Sequence, residues 1–528
     1  MFKCPNCNGS LYFDAKKQLL ACQHCGSEIP VKEYNTDNTA DSDMSVYTCH
    51  NCGAQLVSPD QSAVAFCSYC GSEQILEEKL HDKLQPKKII PFQLSKEDCI
   101  DRYNKMIKSA LYVPSEFKDP SFIERFRGIY IPFYQFDTKL TDTRLSIPGE
   151  NVSRKGNYRI VKKYDFQVDV GQTVQSVPFD ASSAFDDNIA KNIEPYKKEH
   201  FKDYHPGYLA GFYADVADVN PDIYMEDAKK EAITATTESI KEAAEKKRIT
   251  LDMPSDDKKL KEMFKPEIIN KKPMLLPVWF LTWRKNNRVA YIIANGQTGE
   301  ISYEIPVSYK SFFLYTMLTA AALFVVFTFL LTITAPTALL ITMNLATIAI
   351  MVYQRLIKKL HDKENHIFDR GYFLEGKDTV ISQKKADRIR RFREEDPLFI
   401  FLFFGFFILA MLQYLGFDWT EGLPDEKAFV ASWFLVPIIA WNLIRALSFV
   451  FHVKDKSVVL DVAAMLAGVL AGYYVLATDQ VNDYMYYGGS ILCIFGTLIA
   501  CMGMIRKYNA YCTRPLPTFF DRTGGSDL

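Results

Sequence analysis

Four Cys-x-x-Cys pairs crowd the first 70 residues, and their spacing repeats. Cys4-x-x-Cys7 and Cys22-x-x-Cys25 are separated by 14 residues, and Cys49-x-x-Cys52 and Cys67-x-x-Cys70 reproduce that interval 45 positions later. Four thiolates so spaced suit one tetrahedral Zn²⁺: each pair forms a tight knuckle, and the intervening hairpin brings the two knuckles together. Gly26, Gly53 and Gly71 follow second cysteines, where such a knuckle needs a positive φ. The pattern predicts two zinc ribbons, residues 1–30 and 47–78, each holding one structural Zn²⁺. The expected ligands are Cys4, Cys7, Cys22 and Cys25 in the first, and Cys49, Cys52, Cys67 and Cys70 in the second. Four cysteines complete the shell, so neither ion keeps an open position to activate water. Disulfides or thioredoxin-like redox pairs would not explain a duplicated four-cysteine unit in a chain whose start, MFKCPNCNGS, lacks the basic and apolar regions of a secretory signal. A reducing cytosol is the expected surroundings of the N-terminus. His24 and His50 lie inside knuckles but are expected as exposed loop residues, since four thiolates already suffice.

Charge bounds the partners. The chain has a formal net charge of -1, so no global basic field exists to capture polyanions. Residues 1–80 hold five Lys, no Arg and ten Asp+Glu, giving -5. Two four-thiolate zinc centres would each add a formal -2, bringing this region to about -9, which repels phosphate. Nucleic acid is therefore a disfavoured ligand, and protein binding or a purely architectural role is favoured. The acidic linker 31–46 reads as a flexible spacer.

The 528 residues predict three or four folding units. Residues 85–306 read as an α+β cytosolic domain with an antiparallel sheet. A capping-box-like Ser95-Lys96-Glu97-Asp98 precedes an apolar stripe from Cys99 to Leu111, and a second helix is expected from Met225 to Arg248. Cys99 belongs to the stripe and is expected as a small buried hydrophobe. Strands are expected at 128–137, 158–170 and 275–283, followed by two more joined through Asn295-Gly296-Gln297-Thr298-Gly299. No phosphate loop, dinucleotide fingerprint, His-Glu-x-x-His or nucleophile elbow occurs, so no enzyme is expected. Asp180, Asp186 and Asp187 are expected as a solvated acidic loop, and His200 and His205 lack partners at ligand spacing.

The mean hydropathy of -0.08 blends a polar first 310 residues with an apolar remainder. A membrane helix needs about 20 apolar residues. Candidates fall at 311–333, 336–353, 397–415, 428–451, 457–477 and 485–505, an all-α bundle of six transmembrane helices: a hairpin over 311–353 and four more helices over 397–505. The loop 354–396 contains twelve Lys+Arg and the tail 506–528 four, while the alternate loops have almost none. The positive-inside rule then puts both termini in the cytosol. Arg445 and Asp461 lie near expected cytosolic ends, and Asn344 and Asn442 suit hydrogen bonds between helices. Ala464, Gly468 and Gly472 form a small-residue face for close packing within the chain or between copies. The basic clusters of 354–396 either touch anionic headgroups or only fix topology.

With these residues in view, the sequence resembles a bacterial family of membrane-associated double zinc-ribbon proteins of the transcription-factor-IIB type, often labelled primosomal-helicase-like. The resemblance rests on both four-cysteine units, Lys88-Ile89-Ile90-Pro91-Phe92, Tyr130-Ile131-Pro132-Phe133-Tyr134, Leu276-Pro277-Val278-Trp279 and the 295–299 turn, across about the first 310 residues. The missing nucleotide loop argues against helicase activity. Some members are associated with membrane-stress and membrane-scaffold proteins, which implies an adaptor at the bilayer. The six-span half departs from that pattern.

The expected function is a non-enzymatic, multi-pass scaffold of the bacterial plasma membrane. It would recruit cytosolic proteins, and its bundle would allow a homo-oligomer. A transporter or channel subunit with a zinc-ribbon regulatory domain, and a membrane-tethered nucleic-acid-binding protein, are the alternatives.

Overall fold

The computed structural model describes residues 2–34, 45–49, 51–58, 67–72, 75–79, 86–140, 144–156, 158–182, 191–330, 334–364, 456–478 and 482–515. Strands β1 (Leu11–Asp14), β2 (Leu19–Cys22) and β3 (Glu28–Ile29) form a small antiparallel sheet around the first cysteine unit. Strands β4 (Ser45–Cys49), β5 (Gln55–Ser58) and β6 (Ile75–Lys79) carry the second unit. Then come β7 (Lys88–Ile89), β8 (Arg127–Lys139), β9 (Leu145–Lys155), β10 (Tyr158–Val168), β11 (Thr173–Gln175), β12 (Phe179–Asp180), β13 (Lys202–Asp203), β14 (Tyr213–Asp215) and β15 (Thr250–Leu251). The last four are β16 (Glu267–Lys285), β17 (Arg288–Asn295), β18 (Ile301–Tyr303) and β19 (Arg514–Pro515). The described helices of the soluble part are α1 (Lys96–Ser109), α2 (Pro120–Ile123), α3 (Met225–Lys246) and α4 (Asp257–Phe264), and the later ones are α5 (Tyr309–Leu330), α6 (Ala335–Glu364), α7 (Lys456–Ala477) and α8 (Asp483–Cys512).

The central pair is β8 with β16, antiparallel along almost their whole length. Successive side chains of a strand point to opposite faces, and here both faces are covered. Tyr130, Leu275, Trp279 and Leu281 enter one core with α1, while Ile129, Ile131, Leu276, Val278 and Phe280 enter the other with the second cysteine unit. That two-sided burial explains why LLPVWFLTW is a continuous apolar run rather than an alternating one. The sheet is mixed: β14 runs parallel to β8 and β7 parallel to β16, among otherwise antiparallel pairs. The second unit is built into this sheet through β5, which pairs with β14.

Ser95 caps α1 reciprocally: its Oγ accepts from Asp98 N at 3.3 Å, and Asp98 Oδ2 accepts from Ser95 N at 3.1 Å. The helix then buries Cys99, Tyr103 and Ile107. Phe92 is the keystone of that face. Its ring stacks on Phe212 at 4.2 Å and meets Tyr130 and Trp279, each at 5.0 Å between centroids. A Cβ on Gly296 would lie 2.6 Å from the Phe92 ring, and one on Gly128 2.4 Å from Phe212. Asp180 departs from the solvated-loop expectation, because β12 pairs with β8 and buries it; its Oδ1 accepts from Ser182 N at 2.9 Å. Asp186 and Asp187 lie outside the described residues. A second lobe forms where β9, β10 and β15 make an antiparallel sheet whose base packs Ile147 against Ile233 and Ile240 of α3 and Phe264 of α4.

Among the described residues three helical stretches are long and apolar enough to cross a membrane, 309–326, 458–476 and 483–512, against six candidates counted over the whole sequence. The expected spans 397–415 and 428–451, with Asn442 and Arg445, lie outside the described residues, as does most of the basic loop. The expected span 336–353 falls in α6, which packs with α7 and α8. The small-residue face is spent within the chain. A Cβ on Gly468 would lie 2.9 Å from the backbone of Leu492 and Cys493 in α8, and one on Gly496 2.5 Å from Ala464 O. Asp461 gains two partners: Tyr353 donates to its Oδ2 at 2.5 Å, and Arg506 approaches the same oxygen at 3.5 Å.

The end of α8 is bonded to the soluble sheet. Thr513 leads into β19, which pairs with the start of β17, and Arg288 donates to Thr513 Oγ1 at 2.7 Å and to Ala510 O at 2.8 Å. Asn509 exchanges two hydrogen bonds with the backbone of Val307, just before α5.

Gly296→Ala and Gly128→Ala each force Phe92 or Phe212 from its place and should destabilise the soluble part by about 1–3 kcal/mol. Chemical denaturation followed by tryptophan fluorescence checks this, and unchanged midpoints for both would refute the keystone role of Phe92.

Candidate metal centre

Each knuckle is closed by the same backbone hydrogen bonds. Asn8 N donates to Cys4 O at 2.8 Å, Gly26 N to Cys22 O at 3.0 Å, Gly53 N to Cys49 O at 2.7 Å and Gly71 N to Cys67 O at 2.8 Å. Each first cysteine returns a bond: Cys4 N to Gly9 O, Cys22 N to Ser27 O, Cys49 N to Ala54 O and Cys67 N to Ser72 O. The closing residue has φ of 62° at Asn8 and 71°, 75° and 69° at Gly26, Gly53 and Gly71. Three glycines thus serve a left-handed position that one asparagine also fills.

The knuckles bring four sulfurs together twice. Cys4 and Cys25 are 3.6 Å apart and Cys7 and Cys22 3.5 Å; Cys49 and Cys70 are 3.5 Å apart and Cys52 and Cys67 3.7 Å. Within each group all four sulfurs lie within 4.8 Å of one another. A tetrahedron with metal–sulfur bonds near 2.3 Å has edges of about 3.8 Å, whereas a disulfide needs about 2.05 Å. The cysteines are all free thiols. Both groups can therefore hold a metal ion, with all eight expected ligands in place. His24 is exposed, and His50 lies outside the described residues. His200 Nδ1 meets Gln297 Nε2 at 2.8 Å, and His205 Nδ1 accepts from Gly207 N at 3.1 Å.

The two sites differ in burial. In the second, all four cysteines are fully buried, and the neighbouring Cys49 thiol pushes Cys52 and Cys67 upward, so metal entry must displace protons there. In the first, Cys4 and Cys22 are buried, but Cys7 is half-buried and Cys25 exposed. The Ser27 hydroxyl, 3.0 Å from Cys25 Sγ, draws that thiol down to about 6.

Sequence reasoning missed how the sites are fastened. The first docks by edges: Phe13 N donates to Ala210 O at 2.9 Å, and Gln18 Nε2 donates to Phe92 O at 2.7 Å. The second docks by its knuckle. Ser68 O accepts from Thr282, Tyr69 O from Tyr291 at 2.8 Å and Cys70 O from Arg284 at 3.3 Å. Tyr69, inside the knuckle, donates at 2.5 Å to Asp215 Oδ2, which also accepts from the Ser182 hydroxyl. Burial pushes the Asp215 carboxyl up to about 7. An aromatic residue between two ligand cysteines was the available signal.

No family model and no solved structure matches the chain. It is 32% identical over 314 residues to the uncharacterized protein YdjG of Bacillus subtilis (strain 168), an alignment spanning 58% of this chain and 90% of that protein.

Loaded with Zn²⁺ and challenged with a chromogenic chelator, the chain should release metal in two phases, because the first site exposes sulfur and the second exposes none. Cys4→Ser should abolish the fast phase and Cys67→Ser the slow one; the reverse assignment would refute the burial argument. Asp215 supplies a separate check. A carboxyl held above its unfolded value keeps a proton that the unfolded chain loses, so between about pH 4 and 7 stability should fall as pH rises. Asp215→Asn should flatten that slope in denaturation midpoints taken across the upper half of the window, and an unchanged slope would contradict it.

Proposed function

We propose that this chain, which belongs to the family of the Bacillus subtilis protein YdjG, is a non-enzymatic zinc-binding scaffold of the bacterial plasma membrane that holds cytosolic proteins against the bilayer. The observation that carries this reading is the continuous path of bonds from cysteine site to apolar helix. The second knuckle is bonded to β16 and β17, and the first turn of β17 is bonded to Thr513 and β19 at the end of α8. A recognition surface so joined to an anchor transmits its position rigidly, where a flexible tether would not.

The metal in this reading is Zn²⁺, one per site, since four thiolates in a tetrahedron are its ordinary structural shell. Its bound chemistry is that of a cross-link. The anchor comprises six spans, two of them in 397–451. Residues 309 and 513 both adjoin the soluble sheet, which requires an even number of crossings between them. The twelve basic residues of 354–396 set that sheet on the cytosolic side, with both termini. Transport receives less support: Asp461, the described acidic residue buried among these helices, is taken up by Tyr353 and Arg506.

Affinity capture from membranes tests the reading. The full chain should retain a defined set of cytosolic proteins, and the double variant Cys4→Ser, Cys49→Ser should lose most of that set while still inserting. An identical set with both sites destroyed would overturn it.

A further inference from the structure

The β9–β10 ribbon has no role in either cysteine site, yet its outer strand is exposed along most of its length. Strand β10 lies at the edge of its sheet, in the order β10-β9-β15, and among the described residues no strand pairs with its outer side. It is 11 residues long, where strands of five or six are usual, and its register with β9 runs from Tyr158↔Lys155 to Val168↔Leu145 without a bulge. Every residue from Tyr158 to Asp165 is exposed, including Tyr158 at 78%, Ile160, Val161 and Tyr164. A long, unbroken edge of this kind is a template for another strand, which proteins ordinarily blunt with a bulge, a cover or charged side chains. Here the described edge has neither bulge nor cover, and its charges, Arg159, Lys162 and Lys163 against Asp165, are mainly basic and repel a basic strand while admitting an acidic one.

Its charge is the second observation. Residues 150–165 contain Arg154, Lys155, Arg159, Lys162 and Lys163 against Glu150 and Asp165, a net +3 in a chain of net charge -1. Arg154 stands directly opposite Arg159, an arrangement that repels unless an anion lies nearby, and Glu150 reaches Arg159 only at 4.0 Å. The ribbon's position is the third. It follows β8, whose Lys139 pairs with Glu267 at the start of β16, whereas the far end of β16 turns into the β17 residues bonded to α8. Nineteen extended residues span roughly 60 Å, which sets the root of the ribbon well away from the anchoring bilayer and toward the cytosol.

We infer that β10 is a docking edge for an extended, acidic segment of a partner protein, which adds to the sheet as a further strand. Main-chain hydrogen bonds to the outer edge supply the affinity. On the face of Ile160 and Tyr164 a partner carboxylate meets Lys162, on the face of Val161 it meets Arg159 and Lys163, and aliphatic side chains of the partner cover Ile160 or Val161. The interleaved aliphatic residues favour a polypeptide over nucleic acid, and the distance from the anchor disfavours the chain's own bilayer. This rests on the scaffold reading and names the chemistry of what the scaffold holds.

The test uses the full chain in nanodiscs and a ten-residue peptide alternating glutamate with valine and threonine. The peptide should bind, more weakly as salt rises, and slow hydrogen exchange in residues 158–168. Its copy N-methylated at consecutive amides, which blocks both edges of the peptide, should not bind, and the surface variant Lys162→Glu, Lys163→Glu should bind about tenfold more weakly or worse. Absent binding, binding indifferent to both N-methylation and charge reversal, or preference for double-stranded DNA or phosphatidylglycerol vesicles over the peptide would each overturn the inference. If the captured partner set still depends on the cysteine sites while β10 is inert, the inference fails and the scaffold reading stands; if that set is indifferent to the cysteines while β10 binds, the scaffold reading fails instead.

Discussion

Three consecutive carbonyls, those of Ser68, Tyr69 and Cys70, each accept a hydrogen bond from a side chain of β16 or β17, and the rest of the architecture depends on that contact. A knuckle presents three successive carbonyls outward only while its turn is closed, and the turn is closed by the Gly71 N to Cys67 O bond and by the sulfurs behind it. Sulfur geometry at one end is thereby coupled to the central strands of the sheet. Tyr69 completes the coupling from inside the knuckle, reaching Asp215 on β14, the strand that joins the second unit to β8. The second unit is accordingly a part of the sheet, while the first rests against it through edges and loops.

The parts legible in sequence were those fixed by local chemistry. The grouping of the eight cysteines into two fours followed from spacing, because two Cys-x-x-Cys pairs 14 residues apart suit a pair of knuckles joined by a hairpin. Ser95 and Asp98 announced α1, and the apolar run 275–283 announced the middle of β16. Long-range pairings were illegible. Nothing local tells that β14 would pair parallel to β8 and antiparallel to β5, or that Asp180 would be drawn into an edge pairing and buried. The motifs 88–92, 276–279 and 295–299 looked like separate signatures, yet Phe92, Trp279 and Gly296 form one contact: the glycine leaves the space the ring occupies. The helical count is only partly matched: of the six windows, 397–415 and 428–451 lie outside the described residues, 336–353 falls in α6, and the other three coincide with the helices long and apolar enough to cross a membrane.

The join between sheet and helix gives the fold its direction. Arg288 sits where β17 begins and holds Ala510 and Thr513 together, and Asn509 holds the backbone just ahead of α5. The last and first helices of the apolar half therefore meet at one edge of the sheet, while the β9–β10 ribbon is rooted at the other end of the longest strand. An end bonded to the apolar helices and an end away from them, separated by β16, are what the proposed scaffold requires.

Metal stoichiometry tests this account most directly. The full chain, purified without added metal or chelator, should contain two zinc ions, and Cys67→Ser should reduce this to one while exposing Tyr69 and Tyr291 to solvent. A chain that carries no zinc yet keeps those tyrosines buried would contradict the claim that the sulfur sites hold the sheet in its place.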